Sequence, residues 1–207
     1  MENIETGQVF LLIYDISIIY ELILKFKPEY IIPVIPIHLS ALITEEFLHE
    51  KAQVNLTSDK DSTIIFVTNV REELLLTYNL ENGVAYLSYA KNDEICPDNC
   101  NGPENFCPNF NREKPITITK YLKHFYKVDD IIRLEDDDKN EIFKVIIVIE
   151  SKQLMPGLGG IEGKDITHVF KTLENNIDLF LNKSYYVIIA TTCNCHGVIN
   201  FYENSKK

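Results

Sequence analysis

No stretch of this sequence is both long and cleanly apolar. The run from Val9 to Phe26 is broken by Asp15 and Glu21, and the run from Tyr30 to Ile43 by Pro33, Pro36 and His38. Neither reaches the roughly 18 uninterrupted apolar residues of a membrane span. Positive charge is also short: 20 Lys and Arg stand against 31 Asp and Glu, a formal net charge of −11. That balance argues against a nucleic-acid partner, whose phosphates need a basic face, and against anionic lipid. The opening residues Met1 to Glu5 are acidic, where a secretory signal would carry positive charge. The expectation is a cytoplasmic protein with no membrane and no nucleic-acid partner. No internal repeat of fixed period appears, and the oligomeric state is left open.

Cysteine is missing from most of the chain. Cys96, Cys100 and Cys107 crowd into twelve residues, Cys193 and Cys195 stand together next to His196, and no other cysteine occurs. Thiols kept out of ordinary core positions and gathered into two knots read as ligands. Five cannot all pair, and a reducing compartment disfavours disulfides.

What is present is enough for a core: 45% hydrophobic residues, with 11 Phe and 11 Tyr in 207 residues. The pattern suggests strands at Val9–Tyr14, Tyr30–Val34, Ala52–Leu56, Thr63–Thr68, Val84–Tyr89, Ile131–Leu134, Phe143–Ile149 and Tyr185–Thr191. Helices are expected at about 16–26, with Asp15 as cap, and from Pro36 to about His49. Further helices are expected at Val70–Leu80, past Pro115 and from about Asp165 to Leu181. Alternating strands and helices with solid apolar strands predict a single α/β domain over 1–207. Its sheet would be mostly parallel, with helices on both faces (a Rossmann-like three-layer fold) and a cysteine-rich loop, 91–114, inserted mid-chain. If the strands before the two cysteine knots and the glycine-rich segment are parallel, all three segments emerge at one edge of the sheet, where such folds bind ligands.

Cys96-x3-Cys100-x6-Cys107 matches neither the usual zinc-finger nor the usual ferredoxin spacing. Thiolate is nevertheless the ligand of soft and borderline metals, and short spacing lets one loop wrap one centre. Pro97, Pro108 and Gly102-Pro103 limit the loop's freedom. A fourth ligand from Cys193, Cys195 or His196 would complete an iron–sulfur or zinc site, with redox or cofactor-linked chemistry as its use. Three plainer readings stand beside it. The thiols can be reduced loop residues, or His196 a hydrogen-bonded structural histidine. A zinc clip can staple the loop of a non-catalytic module. Alternatively, Cys193 or Cys195 beside His196 can serve as a nucleophile or redox pair.

The second candidate is the segment Pro156 to Lys164, which holds four of the eight glycines. Gly157, Gly159, Gly160 and Gly163 could bring backbone N–H groups up to an anion, with Lys164 as its charged contact, in a phosphate-bearing small-molecule site. The spacing misses both standard phosphate motifs, and Asp165 stands where a hydroxyl is needed, so a plain tight connection competes with this reading. His38 and His168, near predicted helix starts, read as structural, and the acidic run Glu135–Asp138 as a solvated turn.

Overall fold

A computed structural model describes residues 18–35, 37–137 and 139–204. The strand expected at Val9–Tyr14, the Asp15 expected to cap the helix after it, and Pro36 lie outside the described residues.

The elements run α1 (Ile19–Phe26), β1 (Tyr30–Ile31), α2 (Leu39–Ala52), β2 (Thr57–Ser58), α3 (Lys60–Asn69), β3 (Leu75–Asn79) and β4 (Val84–Ser88). The cysteine segment holds two short strands, β5 (Phe106–Cys107) and β6 (Arg112–Glu113). There follow α4 (Ile118–Tyr126), β7 (Ile132–Asp137), β8 (Ile142–Met155), β9 (Leu158–Glu162), α5 (Gly163–Glu174), α6 (Ile177–Asn182), β10 (Ser184–Thr192) and β11 (His196–Asn204). Among the described residues nine strands form one sheet in the order β1-β9-β8-β10-β11-β4-β3, with β2 on β11 and β7 on β8.

This is a mixed, largely antiparallel sheet, and among the described residues only β8 and β10 pair in parallel. The Rossmann-like parallel three-layer sandwich expected from the sequence is therefore incorrect. The cause lies in three hairpins. Asn82-Gly83, just past the stretch Val70–Leu80 expected to be a helix, turns β3 into β4, with Gly83 at φ 57°. Pro156-Gly157 turns β8 into β9, and Cys193 to His196 turns β10 into β11. A hairpin joins only antiparallel neighbours, whereas parallel pairing needs a crossover.

The core follows from the pleat of β8. Phe143, Val145, Ile147 and Ile149 join one buried cluster with residues of α1, α2, α5 and α6, including Phe47 stacked on Phe170 at 4.6 Å. Ile146 and Val148 point the other way, into a second cluster with Phe66 of α3 and Ile118, Tyr121 and Leu122 of α4. Side chains alternate across a strand, so one apolar run serves both clusters.

Strand direction matters most for the site. β10 runs parallel to β8, β11 antiparallel to β10, and β4 antiparallel to β11. Strands β4, β8 and β10 therefore all point the same way, although only two of them are neighbours. Thr192 lies beside Glu150, and Ser88 opposite His196, so the chain leaves all three strands at one rim.

Candidate functional site: a thiol-lined cavity at the sheet rim

The cysteine segment leaves β4 and folds back over this rim. Arg112 fastens it, gripping the Glu94 carboxylate with two 2.8 Å contacts and donating to the carbonyl of Tyr89 at the end of the sheet. Asn194 Nδ2 donates to Gly102 O (2.8 Å) and Gln153 Nε2 to Cys100 O (3.0 Å), tying the loop to the β10–β11 turn and to β8. Gly157 makes the closest approach. A Cβ there would lie 1.7 Å from Asp98 O, and its φ is 78°, so the position accepts essentially only glycine.

Under this loop lies a cavity of about 260 Å³ whose wall includes Cys96, Cys100, Cys107, Cys193, Cys195 and His196. Two cysteine groups some ninety residues apart thus share one space, and all five are free thiols. The route differs from the sequence argument: same-direction strands deliver the segments, but only β8 and β10 are related by a crossover, through α5 and α6, while β4 takes its direction from antiparallel pairing with β11.

The sulfurs sit among hydrogen-bond donors. Cys193 Sγ accepts from the backbone N–H of Cys195 and of His196, both at 3.4 Å, within the turn closed by Cys193 N–H to His196 O at 2.8 Å. Cys100 Sγ accepts from the N–H of Gly102 (3.3 Å) and from Asn109 Nδ2 (3.6 Å). The His196 ring stands between the knots, Nε2 3.6 Å from Cys96 Sγ and Nδ1 3.9 Å from Cys193 Sγ.

Lys114 has no counterpart in the sequence reading. It is 1% exposed and its ammonium lies 2.9 Å from Cys195 Sγ, with Pro103 O as a second acceptor. Within Glu113-Lys114-Pro115 it looks like a surface lysine, and only the chain's return over the rim buries it. Burial pushes the Cys195 thiol up and Lys114 pulls it back down. Burial and then the neighbouring thiols raise Cys96. His196 is lowered, first by the desolvation of its loop-facing side and then by the Lys114 charge, although part of the residue is open to solvent.

Among the described residues no three His, Cys, Asp or Glu side chains stand as a group that could hold a single metal ion. A tetrahedral zinc–thiolate centre, with zinc–sulfur bonds near 2.3 Å, needs its sulfurs about 3.8 Å apart. Here the donors line a cavity wall instead.

The glycine segment is not a free loop but the β8–β9 turn at Pro156-Gly157, the strand β9 and the first residues of α5. Gly159 and Gly160 stand opposite Gln153 and Lys152 in the β8–β9 ladder. The Gly157 N–H donates to Cys100 O (3.4 Å) and the Gly163 N–H to Glu29 O (3.0 Å), so these amides are already engaged. Lys164 pairs with Glu162 at 3.1 Å. Gly157 and Gly159 do contribute to the site, but as wall of the thiol cavity.

A family model described as "Uncharacterized protein, C-terminal domain" matches residues 42–205, which include all six Cys and His residues of the cavity. The chain is also 30% identical over 199 residues to an uncharacterized protein of Archaeoglobus fulgidus, covering 96% of this chain and 75% of that one. No solved structure matches it.

Proposed function

The chain belongs to the family described as an uncharacterized protein, C-terminal domain, and from its rim cavity we propose that it binds an iron–sulfur cluster. Cys96, Cys100 and Cys107 supply three thiolates, and the β10–β11 turn supplies the fourth ligand from Cys193, Cys195 or His196. The observation that carries this reading is five thiols and an imidazole around one cavity of about 260 Å³. Donors spread around a space suit a guest of several atoms better than a single ion, and four thiolates are the common ligand set of such clusters. When bound, the cluster supplies one-electron transfer. The protein's own part is to hold the thiolates, donate N–H groups to their sulfurs and cover the centre with the loop. A cytoplasmic location, where thiols stay reduced, belongs to the same proposal.

The zinc clip has less support. The loop is already fastened by Arg112, Asn194 and Gln153, so it does not need a metal to close it. The thiol-enzyme reading asks for a depressed thiol, whereas burial raises Cys195. A phosphate-bearing ligand on Gly157 to Lys164 would have to displace the contacts those residues already make. Among the described residues no helix is long and apolar enough to cross a membrane.

Anaerobic purification with elemental and sulfide analysis tests the proposal. The expected result is iron and acid-labile sulfide in equal amounts and a broad visible absorption, both abolished by Cys100→Ser with the far-UV circular dichroism unchanged. Stoichiometric zinc without iron would replace the cluster with the other metal. Protein free of both would end the proposal.

A further inference from the structure

Lys114 is the only fully buried Lys or Arg among the described residues, and the fold gives it no acidic partner. None of the ion pairs among the described residues includes it. Its ammonium contacts Cys195 Sγ at 2.9 Å and the carbonyl of Pro103. An ammonium taken out of water needs a compensating charge, and a carbonyl with a neutral thiol is poor compensation. Anionic sulfur is good compensation, and this cavity is where five sulfurs gather.

We propose that Lys114 is a positioning residue of the thiol centre: its buried charge, held against Cys195 Sγ, offsets the negative charge of the thiolate-bound cluster and raises its reduction potential. The inference rests on the cluster reading above. A cluster held by thiolates is anionic, and one-electron reduction adds a further negative charge without breaking a bond. A fixed positive charge within hydrogen-bonding distance of a sulfur of the cavity stabilises the reduced form more than the oxidised form. The low dielectric around a buried group makes that difference large. Hydrogen bonds to the sulfurs from Gly102, Cys195 and His196 N–H act in the same direction, but as dipoles.

The test is a dithionite redox titration, followed in the visible spectrum, of anaerobically purified wild type, Lys114→Met, Lys114→Gln and Lys114→Arg. At a fixed potential the two neutral variants are expected to shift the reduced-to-oxidised ratio at least tenfold toward oxidised, about 59 mV for a one-electron couple. Lys114→Arg should stay within threefold of wild type. Lys114→Gln separates charge from hydrogen bonding, because its amide can still donate to sulfur. An unchanged midpoint in Lys114→Gln with a full cluster overturns the inference and leaves the cluster reading standing. Loss of the cluster from both neutral variants, with retention in Lys114→Arg and dichroism unchanged throughout, shows the same charge requirement as affinity and supports it. Loss from Lys114→Arg as well overturns it, since packing would then be the cause. Wild-type protein without iron and sulfide overturns both readings.

Discussion

Two histidines near the same end of the sheet behave differently. His38, just before α2, has both ring nitrogens engaged. Nδ1 is 2.7 Å from Asn200 Oδ1 of β11 and Nε2 2.8 Å from Thr191 Oγ1 of β10, whose hydroxyl oxygen lies 2.8 Å from Ser40 Oγ. His196, at the start of β11, has only the two longer sulfur contacts, 3.6 Å and 3.9 Å. The His38 network is complete within the fold and docks the start of α2 on the sheet. The donors around His196 converge on a space without closing on one another. The comparison separates a polar group that builds the fold from one that the fold builds around something else.

The largest effect expected from this contrast is on folding stability. His38→Ala would remove the partner of two side chains at once, leaving Asn200 and Thr191 under-satisfied where α2 packs. A loss of about 3 kcal/mol in urea unfolding is expected for such a network. A loss below about 0.5 kcal/mol, the level of an ordinary surface substitution, would show that His38 does no more structural work than His196.

Acid sharpens the same point with a smaller effect. Burial lowers His38 to about 4, the Asn200 contact opposing the shift, against about 6.5 for an unperturbed histidine. Between those values the unfolded chain binds a proton that the folded chain does not. This group's contribution to stability is therefore complete above pH 6.5, falls as pH drops toward 4, and changes no further below that. The full shift corresponds to about 3 kcal/mol, and the partial solvent contact of His38 reduces it to about 2 kcal/mol. The quantity to measure is the wild-type stability minus that of His38→Gln at each pH, which cancels other titrations such as that of Glu45, raised by burial. A flat difference from pH 7 to pH 4 would remove the histidine from the account of acid stability.

How much of this was legible in the sequence follows from which signals are local. The strands at Val84–Ser88 and Ser184–Thr192, the Phe143–Ile149 half of β8 and the helix at Ile118–Tyr126 could be read from apolar runs and helical spacing alone, whereas the polar continuation of β8 to Met155 could not. Thr63–Thr68 could not. Its β-branched run suggests a strand, yet it lies in α3, where Asp59 Oδ1 caps Ser62 N–H at 2.9 Å and the buried Thr63 and Phe66 keep a three-residue spacing. The cap, Asp59, stands just ahead of that run, among polar residues that look like a turn. Val70–Leu80 erred in the opposite sense, and β11 was not read at all. Exchanging one strand for a helix beside a hairpin produced a false β–α–β alternation, and with it the parallel sheet. The meeting of the two cysteine groups at one cavity could be anticipated because its signal is residue type, not periodicity: cysteine clustering survives an error in topology, and three same-direction strands bring the groups together. Lys114 and Gly157 were not legible in these roles. Their positions make sense only against partners 81 and 59 residues away, Cys195 and Asp98.

The smallest expected effect bears hardest on the comparison. His196 is exposed on one side, and its ring makes two long contacts to sulfur. In metal-free protein His196→Ala should therefore change unfolding stability by less than about 0.5 kcal/mol, near the limit of the measurement. Its consequence should appear only when the cavity is filled. The ring stands over Cys96, and removing it opens that sulfur to solvent, so a cluster in the variant should bleach faster in air than in wild type. A loss of 2 kcal/mol or more in the metal-free protein would place His196 beside His38 as a structural histidine, and the cavity would lose its imidazole. Unchanged stability together with unchanged bleaching would remove it from both roles and leave the five thiols to hold the centre alone.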